Sequence, residues 1–204
     1  MIKKIETNRL IDVPKQLPRT SGRFFRTFGT VMLRMLGWRI TGEFPQSGKF
    51  VAAVAPHTSN WDFFVAISVK LSLGIEIKFL GKHSIFVGPI GWLLKKMGGI
   101  AVERSQAHGM VAQITDVFNR SEALILGIAP EGTRKKTAKW KTGFLHIAKS
   151  ANVPVVPMAL DYRNKEFVIM PAQHIQGDIE QELQRFCKLF DKEMAKYPQQ
   201  VSGD

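Results

Sequence analysis

A histidine and a carboxylate five residues apart carry the chemistry this sequence offers. His57 stands in Ala55-Pro56-His57-Thr58-Ser59-Asn60-Trp61-Asp62, just after an apolar run and just before a helical pattern. An imidazole can take a proton from a hydroxyl or a water. A carboxylate beside it can fix its tautomer and stabilise its charged form. The same residues have a plain structural use. Ser59-x-x-Asp62 matches a helix capping box, and an acid in a first turn favours the helix dipole on its own. On one unbroken helix, side chains five apart point about 140° from each other. The pair therefore meets only if His57 sits in a loop and Asp62 in the first turn. Two further strand ends carry polar groups: Arg104, after Ile100-Ala101-Val102, and Glu131-Gly132-Thr133-Arg134, after the apolar run over 123–129. Gly132 permits a tight turn, and Arg134 offers a forked cation suited to phosphate or carboxylate. Each of these alone also reads as a surface turn or a salt-bridging arginine.

The elements that must position these groups alternate along the chain. Residues 50–55 form a short apolar run of strand length, followed by a helical pattern over 60–73 that Gly74 closes. Ile75 to Leu80 alternates as a strand does. Gly88 to Met97 reads as a short helix after a proline, and 100–102 as a short strand. A helix over 107–120, the strand over 123–129 and a helix over 142–151 follow. Val153-Pro154-Val155-Val156-Pro157-Met158-Ala159-Leu160 is apolar, and its prolines predict an edge or irregular strand. Residues 167–170 read as a last strand and 178–196 as a terminal polar helix. Strands alternating with helices predict an α/β fold in a single domain, with a central, mainly parallel or mixed sheet flanked by helices.

The N-terminal part differs in character. Over residues 22–38, Phe24, Phe28, Val31, Met32, Met35 and Trp38 share one face at helical spacing, with Arg23, Arg26 and Arg34 opposite and Leu33 off the pattern. Up to residue 40, Lys3, Lys4, Arg9, Lys15, Arg19, Arg23, Arg26, Arg34 and Arg39 face only Glu6 and Asp12. A basic amphipathic helix with aromatics on its apolar side suits a membrane interface or, equally, packing on a core. The charge asymmetry favours the membrane, so residues 1–40 read as a basic, interfacial segment and 41–204 as the main domain. The formal charge of +12 over 204 residues predicts an acidic partner: an anionic membrane surface, a phosphorylated substrate, an acidic carrier or nucleic acid. One cysteine, Cys187, excludes an internal disulfide or a Cys-based zinc cluster. The N-terminus lacks the apolar core of a secretory signal, and no apolar run reaches the roughly 18 residues of a membrane span.

Taken in order, His57-x-x-x-x-Asp62, Gly98 with Arg104, Glu131-Gly132-Thr133-Arg134 and Val153-Pro154-Val155-Val156-Pro157 resemble the four blocks of the glycerolipid acyltransferases, the glycerol-3-phosphate and 1-acylglycerol-3-phosphate acyltransferases. The resemblance covers residues 50–160 and rests on the order of the blocks. Pro56 stands where many members have Asn, and Ala101 where a bulky residue is common. It implies a glycerol-3-phosphate acyltransferase-like fold at the cytoplasmic face of the membrane. It further implies acyl transfer from acyl-CoA or an acyl carrier protein to a lysophospholipid, 1-acylglycerol-3-phosphate giving phosphatidate. His57 would be the general base, Asp62 its orienting partner, and Arg104, Glu131, Gly132, Thr133 and Arg134 the binders of the acceptor. Glu131 could bond acceptor hydroxyls or orient Arg134. No metal or other cofactor is implied beyond the acyl donor as co-substrate, and no enzyme nucleophile. Three alternatives stay open: another lysolipid or hydroxylated acceptor, thioester hydrolysis, and a non-catalytic basic protein binding membrane or nucleic acid. No nucleic-acid motif is present, so nucleic acid is not the expected partner.

Overall fold

Alternate residues of the strand Lys49–Ala55 (β2) go to opposite faces of a sheet, and both faces are covered. Val51, Ala53 and Ala55 pack into one hydrophobic layer, Phe50 and Ala52 into the other. The computed structural model describes residues 11–20, 22–102 and 107–202. Six further strands join β2: β1 (Arg39–Gly42), β3 (Lys78–Lys82), β4 (Gly99–Val102), β5 (Leu124–Ile128), β6 (Val155–Asp161) and β7 (Glu166–Ile169). Among the described residues they form one sheet in the order β1-β7-β6-β2-β5-β3-β4. All neighbours pair parallel except β6 and β7, so β2 to β6 point one way and β1 and β7 the other. The expected α/β domain with a mainly parallel, mixed sheet is the observed one.

Helices α1 (Arg23–Leu36) and α2 (Asn60–Leu73) cover one face. Helices α4 (Ala107–Arg120), α5 (Gly143–Ser150) and α6 (Ile179–Cys187) cover the other, through Ile114, Phe118, Phe144, Leu145, Ile147, Leu183 and Phe186. Helix α3 (Gly88–Lys96) lies beside the edge strand β4. No helix among the described residues is long and apolar enough to cross a membrane.

Several elements depart from their sequence patterns, each for a local reason. The strand expected from Ile75 begins only at Lys78. Ile75 N donates to Lys70 O and Glu76 N to Pro18 O, so this backbone closes α2 and holds the lead-in rather than entering the sheet. The proline-bearing segment is no edge: β6 lies between β2 and β7 and is buried throughout. Pro157 is tolerated because its main chain faces the β7 side, where its carbonyl accepts from Met170 N, while β2 pairs through the residues on either side. The terminal helix stops at Cys187, with short 3-10 turns at 192–194 and 198–200 beyond it. In α1 the off-pattern Leu33 is the residue that packs inward, together with Gly29. A Cβ on Gly29 would lie 2.5 Å from Ser72 N and 2.8 Å from Ser68 O of α2. The aromatic face points outward: Phe24 is 75% and Met35 79% exposed, with Phe25, Phe28 and Val31 also open. Trp38, beyond the helix end, is buried.

Candidate active site

Strands β2, β4, β5 and β6 run parallel, so the loops that follow them gather at one edge of the sheet. His57 follows β2, Glu131 follows β5 and Tyr162 follows β6. Arg104 follows β4 and lies outside the described residues. This edge is where open parallel sheets place their functional loops.

His57 sits in the loop and Asp62 in the first turn of α2, the arrangement that lets them meet. His57 Nδ1 lies 3.1 Å from Asp62 Oδ2. The histidine side chain keeps 21% of its surface, whereas the Asp62 carboxylate is fully buried. The capping box is also present: Ser59 caps α2, and Ser59 N donates to Asp62 Oδ2 at 2.8 Å. The second oxygen, Oδ1, accepts from the Tyr162 hydroxyl at 2.7 Å. A carboxylate only accepts, so Nδ1 carries the proton in this contact and Nε2 is left with its lone pair, as a general base needs. Burial and the neighbouring Asp62 push the Tyr162 phenol well above its usual range, so it stays a donor.

Glu131 makes a contact that neither of its expected roles describes. It is fully buried, and its Oε1 accepts from the backbone N–H of His57 at 2.6 Å. Its Oε2 has no hydrogen bond of ordinary geometry among the described residues, although the Ser202 hydroxyl favours the charged form. Burial raises the carboxyl pKa above its usual value, while the His57 amide and the His57 ring pull it back down. Gly132 turns the loop with φ 68° and donates to Ala129 O at 3.0 Å. Thr133 Oγ1 accepts from Lys135 N at 3.3 Å. The Arg134 side chain is exposed. Its backbone lies beside the histidine loop: the Gln200 amide, turned to satisfy its neighbours, donates at 2.9 Å to both Thr58 O and Arg134 O.

Gln200 belongs to a C-terminal segment that sequence patterns did not connect with this edge. Tyr197 N donates to Thr58 Oγ1 at 3.2 Å, and Trp140 Nε1 donates to Ser202 O at 3.0 Å. Thr137 N donates to Ser202 Oγ at 3.0 Å. The Lys196 ammonium stands 4.8 Å from the Trp61 ring centre. Cys187, distant in sequence, is near in space, lining a small cavity with Pro56, Trp140 and Ser202. Burial, and then repulsion from Glu131, push its thiol up, which keeps it in the non-nucleophilic form.

The acyltransferase family model matches residues 38–161, more than half of the chain. The chain belongs to the acyltransferase family. Its match spans β1 to the end of β6 and includes His57, Asp62 and Glu131. A chloroplastic 1-acyl-sn-glycerol-3-phosphate acyltransferase of Brassica napus is 37% identical over 113 residues, covering 51% of this chain and 32% of that protein. The 1-acyl-sn-glycerol-3-phosphate acyltransferase of Escherichia coli is 28% identical over 114 residues, covering 52% and 45%. The chain thus spans a third to just under half of the length of these two relatives. The crystal structure of the 1-acyl-sn-glycerophosphate acyltransferase of Thermotoga maritima shares the fold at a TM-score of 0.52 and 18% identity, covering 81% of this chain and 78% of that one.

Proposed function

We propose that this acyltransferase moves a fatty acyl group from a thioester, acyl-CoA or an acyl carrier protein, to the free hydroxyl of a lysophospholipid, 1-acylglycerol-3-phosphate, giving phosphatidate. The observation that carries the reading is the His57–Asp62 pair, with its buried carboxylate and part-open imidazole. The names of the family relatives supply the acceptor. His57 Nε2 takes the proton of the acceptor hydroxyl as its oxygen attacks the thioester carbonyl. Asp62 stabilises the imidazolium that forms. Collapse of the tetrahedral intermediate breaks the carbon–sulfur bond, and the leaving thiolate takes the proton back from His57. No acyl-enzyme forms, and the scheme asks for no resident metal or redox cofactor.

Arg134, with Arg104, takes the acceptor phosphate, and Gly132 and Thr133 shape the loop that presents Arg134. Glu131 acts from behind, fixing the His57 main chain. The exposed face of α1, the exposed Trp61 and Phe64 of α2, and the charge of +12 support docking at the cytoplasmic face of an anionic membrane, with residues 1–40 as the interfacial segment and 41–204 as the catalytic domain. The test is phosphatidate formation by purified protein from long-chain acyl-CoA or acyl carrier protein and lysophosphatidate. His57→Ala is expected to lower turnover by about two to four orders of magnitude. Thioester cleavage that ignores added lysolipid, or full turnover in His57→Ala, overturns the reading.

A further inference from the structure

At the other edge of the sheet from His57, where β3 and β4 begin, lies a cavity of about 610 Å³. Its lining includes Arg19, Lys70, Lys78, Lys95, Lys96 and one acid, Glu76. Among the described residues, none of the five cations has a carboxylate within ion-pairing distance. Lys70 is only 6% exposed. Its ammonium donates to Ile77 O at 3.1 Å and to Met97 O, which leaves one of its three N–H groups for an occupant. Burial lowers its pKa and the nearby Glu76 carboxylate restores only part of that, so its charge is still held at a cost that an anion would offset. The Arg19 guanidinium spends donors on Val13 O and Pro14 O and keeps others. Gly98, at φ 96°, leaves room beside Lys70: a Cβ there would lie 3.4 Å from Nζ and 2.7 Å from Ile77 O.

Several like charges crowded into one cleft repel, and they are best relieved by one multiply charged anion. An arginine fork with several ammonium groups suits phosphate oxygens. The surroundings are amphiphilic. Thr20 leads into α1 with its open Phe24 and Phe25, and Lys95 and Lys96 end α3, whose Ile90, Trp92 and Leu93 are also open. We propose that this cavity is a second phosphate-binding site, separate from the His57 loops, for the phosphate of an anionic lipid headgroup or of a soluble organic phosphate.

The experiment compares two charge-removing pairs, Lys78→Ala/Lys95→Ala in the cavity and Lys149→Ala/Lys188→Ala on the exposed opposite side of the domain. Both are placed in an Arg134→Ala background, which weakens the phosphate anchor proposed at the His57 loops. Pyrophosphate binding is measured by titration calorimetry, and vesicle binding by sedimentation with phosphatidylcholine containing phosphatidate. The cavity pair is expected to weaken binding by about tenfold or more, the worth of one charge-assisted hydrogen bond, while the control pair changes it less than about twofold. Loss confined to pyrophosphate assigns a soluble phosphate, and loss confined to vesicles a lipid headgroup. Loss of both assigns a phosphate site open to either source. Equal weakening by both pairs, an unchanged cavity pair, or no binding of either probe overturns the proposal.

Discussion

Replacing Tyr162 by Phe isolates one atom of the proposed machinery. The ring stays, with its edge-on contact to Trp38 at 4.9 Å between centres, and only the hydroxyl that donates to Asp62 Oδ1 at 2.7 Å is lost. Asp62 is fully buried and acts as acceptor for Ser59 N and His57 Nδ1 through its other oxygen. A hydrogen bond to a charged group contributes about 1.5–3 kcal/mol. If the loss falls on the carboxylate's hold over the imidazole, turnover drops by roughly tenfold to a hundredfold. The same loss lowers Tm by roughly 3–12 °C for a domain of this size. Tyr162 is a positioning residue, so kcat should fall while KM for the lysolipid holds. The assay is steady-state acyl transfer at saturating donor, corrected for folded fraction, with thermal unfolding alongside. A Tm shift without any change in kcat per folded molecule would falsify the positioning role and leave Tyr162 as a structural tie.

Four other variants test further parts of the structure. Glu131→Gln removes a buried charge whose folded-state pKa lies above its ordinary 4.5. The folded form holds that proton more tightly than the unfolded chain, so wild-type stability falls as pH rises from the ordinary value through the folded one. The variant should therefore unfold at higher temperature than wild type at pH 7–8, with the gap closing toward acid. Its turnover should fall, because the His57 ring loses an attracting charge. A constant Tm gap across pH 4 to 8 would remove the linkage argument. Gly29→Ala forces a Cβ to within 2.5 Å of Ser72 N and should cost about 1–3 kcal/mol in denaturant unfolding. Gly109→Ala, where a Cβ meets nothing within 4 Å, should be neutral or slightly stabilising. Deleting residues 198–204 takes away the Gln200 bridge and the Ser202 contacts with Thr137 and Trp140. Activity should fall at least tenfold, more than the loss of folded protein explains, and full activity in a folded truncated chain would show that the segment does not order the site.

What was legible in the sequence was local. His57, Ser59 and Asp62 lie within one short stretch, so both the cap and the ion pair could be read from spacing. The alternation of strands and helices gave the class of fold, because each pattern is a one-dimensional record of which face is buried. The failures came where a partner arrives from far along the chain. Tyr162 carries no motif, and only the parallel pairing of β2 with β6 brings its hydroxyl to Asp62. A search for polar residues just after each strand at the His57 edge would have found it. Glu131 was placed at the site, yet its bond to a main-chain N–H leaves no trace in side-chain chemistry. The face of α1 stayed open between packing and an interface because apolar periodicity does not say whether the apolar side meets protein or not; in the structure that side is exposed. Gly29 and Leu33 make the contact with less apolar surface than the exposed side carries.

The structural and catalytic readings of Asp62 turn out not to compete. The carboxylate that accepts Ser59 N to finish the helix also lies 3.1 Å from His57 Nδ1, so the cap is a second tie on the same group. The helix terminus therefore orients the acid toward His57, and in the proposed mechanism the acid need not be recruited during the reaction. Glu131 fixes the same residue by a different route, through the His57 backbone rather than its ring. With the ring anchored at Nδ1 and the main chain anchored at N, rotation about the side chain is the freedom most restricted, and Nε2 is left as the ring nitrogen free to meet a hydroxyl. The two acids are thus not interchangeable. A carboxamide at Glu131 can still accept the amide proton. At Asp62 an amide can keep its oxygen on both Ser59 N and His57 Nδ1–H, with its nitrogen turned to the Tyr162 hydroxyl, but it loses the negative charge that stabilises the imidazolium, so Asp62→Asn should damage turnover far more than helix stability.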